Sequence, residues 1–212
     1  FMSTSNHGNA DRLTSLAPLD VRFAETLFIH VPKTGGSSVL GAFGEENRTL
    51  LKTPGEAVRY AESREPVSGC LSLNHLSLSW ALRAGILHEK SSKHLKVFAA
   101  VRNPYKRIES VYWHLRRKNQ LRFLRTFDSF IDFIYRRGVW PIGPWDHFGA
   151  SFANPQVAWT RGWPRPVHLL RTESLAEDFK NLFGGPSQGL PALPHLNVSE
   201  RSHEISWSDR SV

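Results

Sequence analysis

TLFIHVPKTGGSSVLGAF, residues 26–43, reads as a strand, a glycine turn and the start of a helix. Residues 26–31 are a short, apolar, β-rich run that Pro32, Gly35 and Gly36 bring to an end, the pattern of a buried strand. From Ser37 onward the chain can continue as a helix, with Ser37 or Thr34 available near its N-cap. A turn of this kind aims several backbone N–H groups and a helix N-terminus at one point, which suits an anion. Gly35 and Gly36 let the backbone approach that anion and adopt positive φ without steric cost. Lys33 adds a mobile cationic head, and Thr34, Ser37 and Ser38 add hydroxyl donors. The order argues against a nucleoside-triphosphate loop of the GxxxxGK[ST] type, in which the Lys follows the glycines. Here it precedes them.

A second strand-and-turn lies further along, in KVFAAVRNPYKRIESVYW, residues 96–113. Residues 96–101 have the buried-strand pattern, and Pro104 is placed to open a helix over residues 104–115. Arg102 then falls at the C-terminal end of a strand, where ligands of open α/β sheets collect. Its guanidinium can grip a phosphate bidentately while Ser110, in the second helical turn, closes the other side. Taken singly, Arg102 reads first as a helix-capping residue and Ser110 as a surface one.

Around these turns, residues 54–63, 76–87, 127–137 and 173–183 predict helices, and residues 67–71 and 167–170 predict strands, the latter interior. Residues 139–166, rich in Trp, Pro and Gly, predict an irregular connection, and the chain is loop-like after Gly184. Residues 1–22 form a loosely ordered lead-in to a single domain over residues 23–212. Alternating strands and helices indicate an α/β domain with a central, mainly parallel sheet flanked by helices.

PKTGGSS resembles the 5′-phosphosulfate loop of sulfotransferases that use 3′-phosphoadenosine-5′-phosphosulfate (PAPS), in the form found in carbohydrate-type members. The run RNPYxRxxSxYW resembles that family's 3′-phosphate motif. The resemblance implies a P-loop-like three-layer fold and transfer of a sulfuryl group from PAPS to an acceptor hydroxyl or amine, leaving 3′,5′-ADP. It implies that Lys33 stabilises the departing oxygen, and that Thr34, Gly35, Gly36, Ser37 and Ser38 hold the 5′-phosphate. Arg102 and Ser110 would hold the 3′-phosphate. VHLLRTESLAEDFKNLF, residues 167–183, resembles the family's strand, acidic residue and helix, with Glu173 as the acid. PHLNVSERS, residues 194–202, resembles the loop that closes over the nucleotide and brings in Asn197, Ser199 and Arg201. No metal is required, because cations and N–H donors can stabilise the charge that builds on the transferring group. Ser38 departs mildly from the family, where Thr is commoner, and keeps the hydroxyl.

An acceptor hydroxyl gains from a general base. Of the ten histidines, His75 in LSLNHLSL lies between the two phosphate motifs, after a predicted strand and at a helix start. Sulfotransferases resembling the uronyl 2-O type place a catalytic His in a similar location. A structural His bonded to backbone fits the same position equally well. His30 reads as a sheet-packing residue, Arg107 as a supporting or surface residue, and Tyr105, Tyr112 and Trp113 as packing groups. Nothing singles out His88, His94 or His114.

The formal net charge of +8 and pI near 10.0 favour an anionic partner. A sulfated or uronate-bearing glycan acceptor would meet the basic residues Lys106, Arg107, Arg116, Arg117, Lys118, Arg122 and Arg125, which read first as a solvated face. Trp140, Trp145, Trp159 and Trp163 can stack on sugar rings or anchor a core. The single Cys70 excludes an internal disulfide framework and favours a reducing compartment. With no run of about eighteen apolar residues, a cytoplasmic enzyme is expected, a trimmed luminal domain being the alternative. A small-molecule kinase and a non-catalytic module binding the nucleotide or a sulfated glycan are the other functional readings. A nucleic-acid-binding domain is permitted by charge alone.

Overall fold

The computed structural model describes residues 23, 25–45, 47–63, 69–90, 92–121, 124, 126–137, 154–184 and 192–194. The lead-in, Arg122, Arg125, Trp140, Trp145, Asn197, Ser199 and Arg201 lie outside them.

The strands are β1 (Thr26–His30), β2 (Arg48–Leu51), β3 (Cys70–Asn74), β4 (Lys96–Val101) and β5 (His168–Arg171). They form one five-stranded sheet in the order β2-β3-β1-β4-β5, with every pair parallel. The helices are α1 (Gly36–Phe43), α2 (Pro54–Ser63), α3 (Leu78–Arg83), α4 (Pro104–Arg117), α5 (Phe127–Arg137), α6 (Val157–Thr160) and α7 (Leu175–Phe183).

All of β1 is buried, as a central strand covered on both faces must be. Side chains alternate across the sheet. Leu27 and Ile29 pack with Leu71, Leu73, Val97 and Ala99 against Ala57, Leu78, Ala81 and Trp159 of α2, α3 and α6. Phe28 packs with Cys70, Phe98 and Ala100 against Val39, Phe43, Phe179 and Phe183 of α1 and α7. These two cores make three layers. A third apolar cluster joins α4 to α5 through Tyr112, Leu115, Phe127 and Phe130.

Helix starts follow local chemistry. Asn103 Oδ1 accepts the N–H groups of Tyr105 (3.0 Å) and Lys106 (3.2 Å), where Pro104 opens α4. Thr53 and Glu56 exchange side chain-to-backbone bonds of 3.1 Å each at the head of α2.

Several expectations shift. The edge strand β2 was not foreseen, because RTLL is four residues long, mostly half-buried and without alternation. β3 starts later than residue 67, at a turn that only Gly69 fits. Its φ is 69°, and a Cβ there would lie 2.3 Å from the Asn47 carbonyl oxygen. β5 is an edge strand and not an interior one, with His168, Leu169 and Arg171 exposed. α3 is shorter than residues 76–87 and α6 breaks into the connection expected to be irregular. No helix among the described residues is long and apolar enough to cross a membrane.

The topology positions the site. The chain leaves β1 toward β2 on one side of the sheet, and leaves β4 toward β5 on the other. The turns after these adjacent strands therefore diverge at the C-terminal edge, which opens a crevice between them.

Candidate active site

The Lys33 turn is built by three tethered carbonyls. Arg107 Nε donates to the Pro32 oxygen at 3.1 Å, and Arg102 Nη1 donates to the Lys33 oxygen over a longer 3.4 Å. Thr172 Oγ1 lies 2.8 Å from the Thr34 oxygen and 2.9 Å from that of Val101; its single proton serves one at a time. In a trans peptide the C=O and the next N–H point in opposite directions. Each tethered carbonyl therefore turns the N–H that follows it, of Lys33, Thr34 or Gly35, away from its tether. Among the described residues, the N–H groups of Lys33, Thr34, Gly35, Gly36 and Ser37 have no acceptor. A run of converging N–H groups at a helix N-terminus is an anion cradle.

The backbone required is left-handed at Lys33 (φ 66°) and at Gly35 (φ 81°). Gly35 itself is the N-cap of α1, with no side-chain cap, so neither Ser37 nor Thr34 serves there. The Thr34 hydroxyl points inward and donates to the Val31 carbonyl at 2.8 Å, which removes it from the expected set of phosphate donors. Ser38 is buried and Ser37 half-buried. Gly36 admits no substituent, since a Cβ would sit 2.1 Å from His30 Cδ2.

Arg102 follows β4, half-buried, beside the Lys33 turn. Its backbone is clasped by Gln156, which accepts the Arg102 N–H at 2.9 Å and donates to the Arg102 carbonyl at 2.7 Å. Sequence reasoning missed Gln156 because it belongs to a connection without periodicity. Glu173 accepts the Asn103 N–H at 2.8 Å and so braces the same turn. Arg107, Ser110, His114, Arg117 and Lys118 share one side of α4 at about 100° per residue. The Arg107–Pro32 bond turns that side toward the Lys33 loop. Tyr112 is core while Tyr105 is 46% exposed, so only the former is a packing group. Trp159 and Trp163 are core anchors, at 0% and 9% exposed.

His75 stands at the end of β3 with a left-handed φ of 67°. Its N–H and its Nδ1 lie 3.2 and 2.9 Å from the His30 carbonyl oxygen. A carbonyl only accepts, so Nδ1 carries the hydrogen and Nε2 carries the lone pair. His30 is buried with its ring centroid 4.4 Å from that of His75, and it walls the site rather than only packing the sheet.

Burial pushes the His30 imidazole down to about 4, a side-chain bond with Asn74 opposing and the Lys33 charge adding to the fall. Burial, then the charge of His30, hold His75 well below the usual histidine range. His114 falls to about 4 through burial and then the charges of Lys33, Arg117 and Lys118. Burial, then Arg117 and Arg102, lower Lys33. The charges acting on Lys33 and His114 are all positive, so an anion entering this cluster relieves repulsion and raises the proton affinity of both. Sequence reasoning passed over His114, although its spacing from Arg107 and Ser110 on one helix was readable.

These histidines carry a stability signature. Each is neutral in the folded protein at a pH where the unfolded chain binds a proton, so stability is complete above about 6.5 and falls on acidification toward about 4. For His30 the shift from 6.5 to about 4 corresponds to roughly 3 kcal/mol. Thermal unfolding from pH 7.5 to 4.5 should show Tm falling from near pH 6.5 downward. A Tm constant between pH 7 and 5 contradicts this burial of neutral histidines.

Comparison of the chain with family models, with curated proteins and with solved structures finds no match.

Proposed function

We propose that this chain is a sulfotransferase that binds PAPS between the Lys33 and Arg102 turns and transfers its sulfuryl group to an acceptor hydroxyl or amine. The observation that carries the reading is the meeting of these turns on the adjacent strands β1 and β4, bridged by Arg102 Nη1 and the Lys33 carbonyl. Around them lie an N–H cradle and a cluster of mutually repelling cations. A donor with a phosphate at each end of its ribose matches two cationic turns better than one triphosphate does. The activated sulfuryl group is the donor's own chemistry.

The chain's residues have separable tasks in this reading. The N–H groups of residues 33–37 and the Ser37 and Ser38 hydroxyls hold the 5′-phosphate. Arg102 and Ser110 hold the 3′-phosphate. His75 Nε2 takes the acceptor proton as the acceptor oxygen bonds to sulfur. The bond from sulfur to the 5′-phosphate oxygen breaks, and the Lys33 ammonium stabilises the electron pair left on that oxygen. The products are a sulfate ester and 3′,5′-ADP.

Calorimetric titration tests the donor site. Wild-type protein should bind 3′,5′-ADP more tightly than ATP, and Arg102→Ala should weaken 3′,5′-ADP by about 10- to 100-fold, since a hydrogen bond to a charged group contributes roughly 1.5–3 kcal/mol. Equal affinity for Arg102→Ala and wild type sinks the assignment. Mass-detected sulfate transfer from PAPS across glycans, phenols, lipids and natural-product scaffolds then identifies the acceptor. Product binding with transfer to none of them favours a non-catalytic module.

A further inference from the structure

Arg107 belongs to the helix of the Arg102 turn, yet its side chain reaches the Lys33 turn. It is 5% exposed, and its guanidinium carbon sits 5.1 Å from the centroid of the buried Trp159 ring. Nε donates to the Pro32 carbonyl at 3.1 Å and Nη1 to the Asn154 carbonyl at 3.0 Å. Its own N–H donates to the Asn103 carbonyl at 2.8 Å, closing the first turn of α4. One planar fork thus joins the residue before Lys33 to the segment whose Gln156 clasps Arg102. These side-chain acceptors are neutral carbonyls, so direction of donation matters here more than charge.

The Pro32–Lys33 peptide is the sensitive element. Pro32 has no N–H, and Lys33 is left-handed, a conformation that costs a residue with a Cβ about 1–2 kcal/mol. Rotation of that peptide plane would carry the Lys33 N–H out of the cradle. The bond from Arg107 Nε blocks the rotation from the rear.

We propose that Arg107 is a positioning residue of the anion site, setting the Pro32–Lys33 peptide so that the Lys33 turn and the Arg102 turn act on one ligand. The choice of nucleotide in the test rests on the sulfotransferase reading; the geometry of the cradle does not.

Arg107→Gln and Arg107→Met separate this role from a packing one. Both lose the charge, but the Gln Nε2 lies the same number of bonds from Cα as the Arg Nε and can still donate to Pro32. Met fills similar space and cannot donate. Calorimetry with 3′,5′-ADP and adenosine 3′-monophosphate gives the affinity added by the 5′-phosphate. That increment should fall about tenfold or more in Arg107→Met, one lost hydrogen bond's worth, and stay near wild type in Arg107→Gln. Equal increments in the two variants overturn the proposal.

Amide hydrogen exchange at Ser38 and Val39, whose N–H groups donate to the Gly35 carbonyl at the end of the turn, with β4 as reference, supplies a readout independent of the nucleotide. Exchange should quicken in Arg107→Met and not in Arg107→Gln. If wild-type protein binds neither nucleotide, the donor reading fails, and exchange alone decides for or against Arg107. Should Arg107→Met not fold, Arg107→Lys takes its place, because its amine overshoots the Pro32 carbonyl by one bond. Unfolding of all three variants makes Arg107 a core residue only and overturns the proposal.

Discussion

If the proposed sulfotransferase reading holds, replacing His75 by Asn should cut sulfuryl transfer by about 10²- to 10⁴-fold while 3′,5′-ADP binds as it does to wild type. Asn is the sharper substitution because position 75 has a φ of 67°, which Asn tolerates and Ala does not. An Asn amide can also keep a donor on the His30 carbonyl, the bond that His75 Nδ1 makes at 2.9 Å. What it lacks is a basic nitrogen. His75→Ala should lose the same activity and, in addition, some stability from backbone strain. Burial and the His30 charge hold His75 well below the usual histidine range, so the lone pair on Nε2 is present throughout neutral pH. The wild-type rate should then show no acid limb near pH 6.5 from this residue. Turnover retained in His75→Asn, or equal loss of turnover and binding, removes His75 from the base role.

The elements that position the site were legible because each is punctuated. KVFAAV runs into Asn103 and Pro104, and β4, the cap and α4 fall where those residues place them. TLFIHV stops at the Pro32 turn, and β1 stops one residue earlier. What the sequence concealed depends on tertiary contact. A side chain's direction has no local signature: the Thr34 hydroxyl looks like a ligand but donates inward to Val31, and Arg107, readable as either supporting or surface, is buried on Trp159. Gln156 and Thr172 sit far along the chain from the turns they hold. The interplay of His30 with Gly36 and His75 is a crowding effect that neither spacing nor composition reports. β2 was lost for the opposite reason: a four-residue edge strand carries too little pattern to stand out.

Lys33→Ala should lower the transfer rate by about 10²- to 10³-fold, the scale for removing one preorganised donor to a developing oxyanion. It should also weaken 3′,5′-ADP, since an ammonium beside the cradle contributes to ground-state binding. Two effects mix in that variant. Position 33 is left-handed, so Ala keeps the strain while deleting the amine. Lys33→Gly deletes the amine and removes the strain, and the two variants compared at one pH separate the contributions. If the amine matters, both lose rate alike; if only the backbone matters, Ala, which shares the strained backbone of Lys, retains the rate and Gly alone changes it. Lys33→Arg should not restore the rate, because a guanidinium is larger and spreads its charge over a plane instead of presenting the compact charge of an ammonium. Burial, then Arg117 and Arg102, lower the proton affinity of Lys33, and a phosphate in the cradle raises it again. His114 moves in the same direction. Binding of 3′,5′-ADP should therefore take up protons at His114 as pH falls toward its free-site value of about 4, alongside titration of the ligand's own phosphates at about pH 6. Titrations in buffers of different ionisation enthalpy measure that uptake directly. Lys33→Ala should reduce it, because the Lys33 charge helps to hold His114 down, and equal uptake in Lys33→Ala and wild type would place the nucleotide away from this pair.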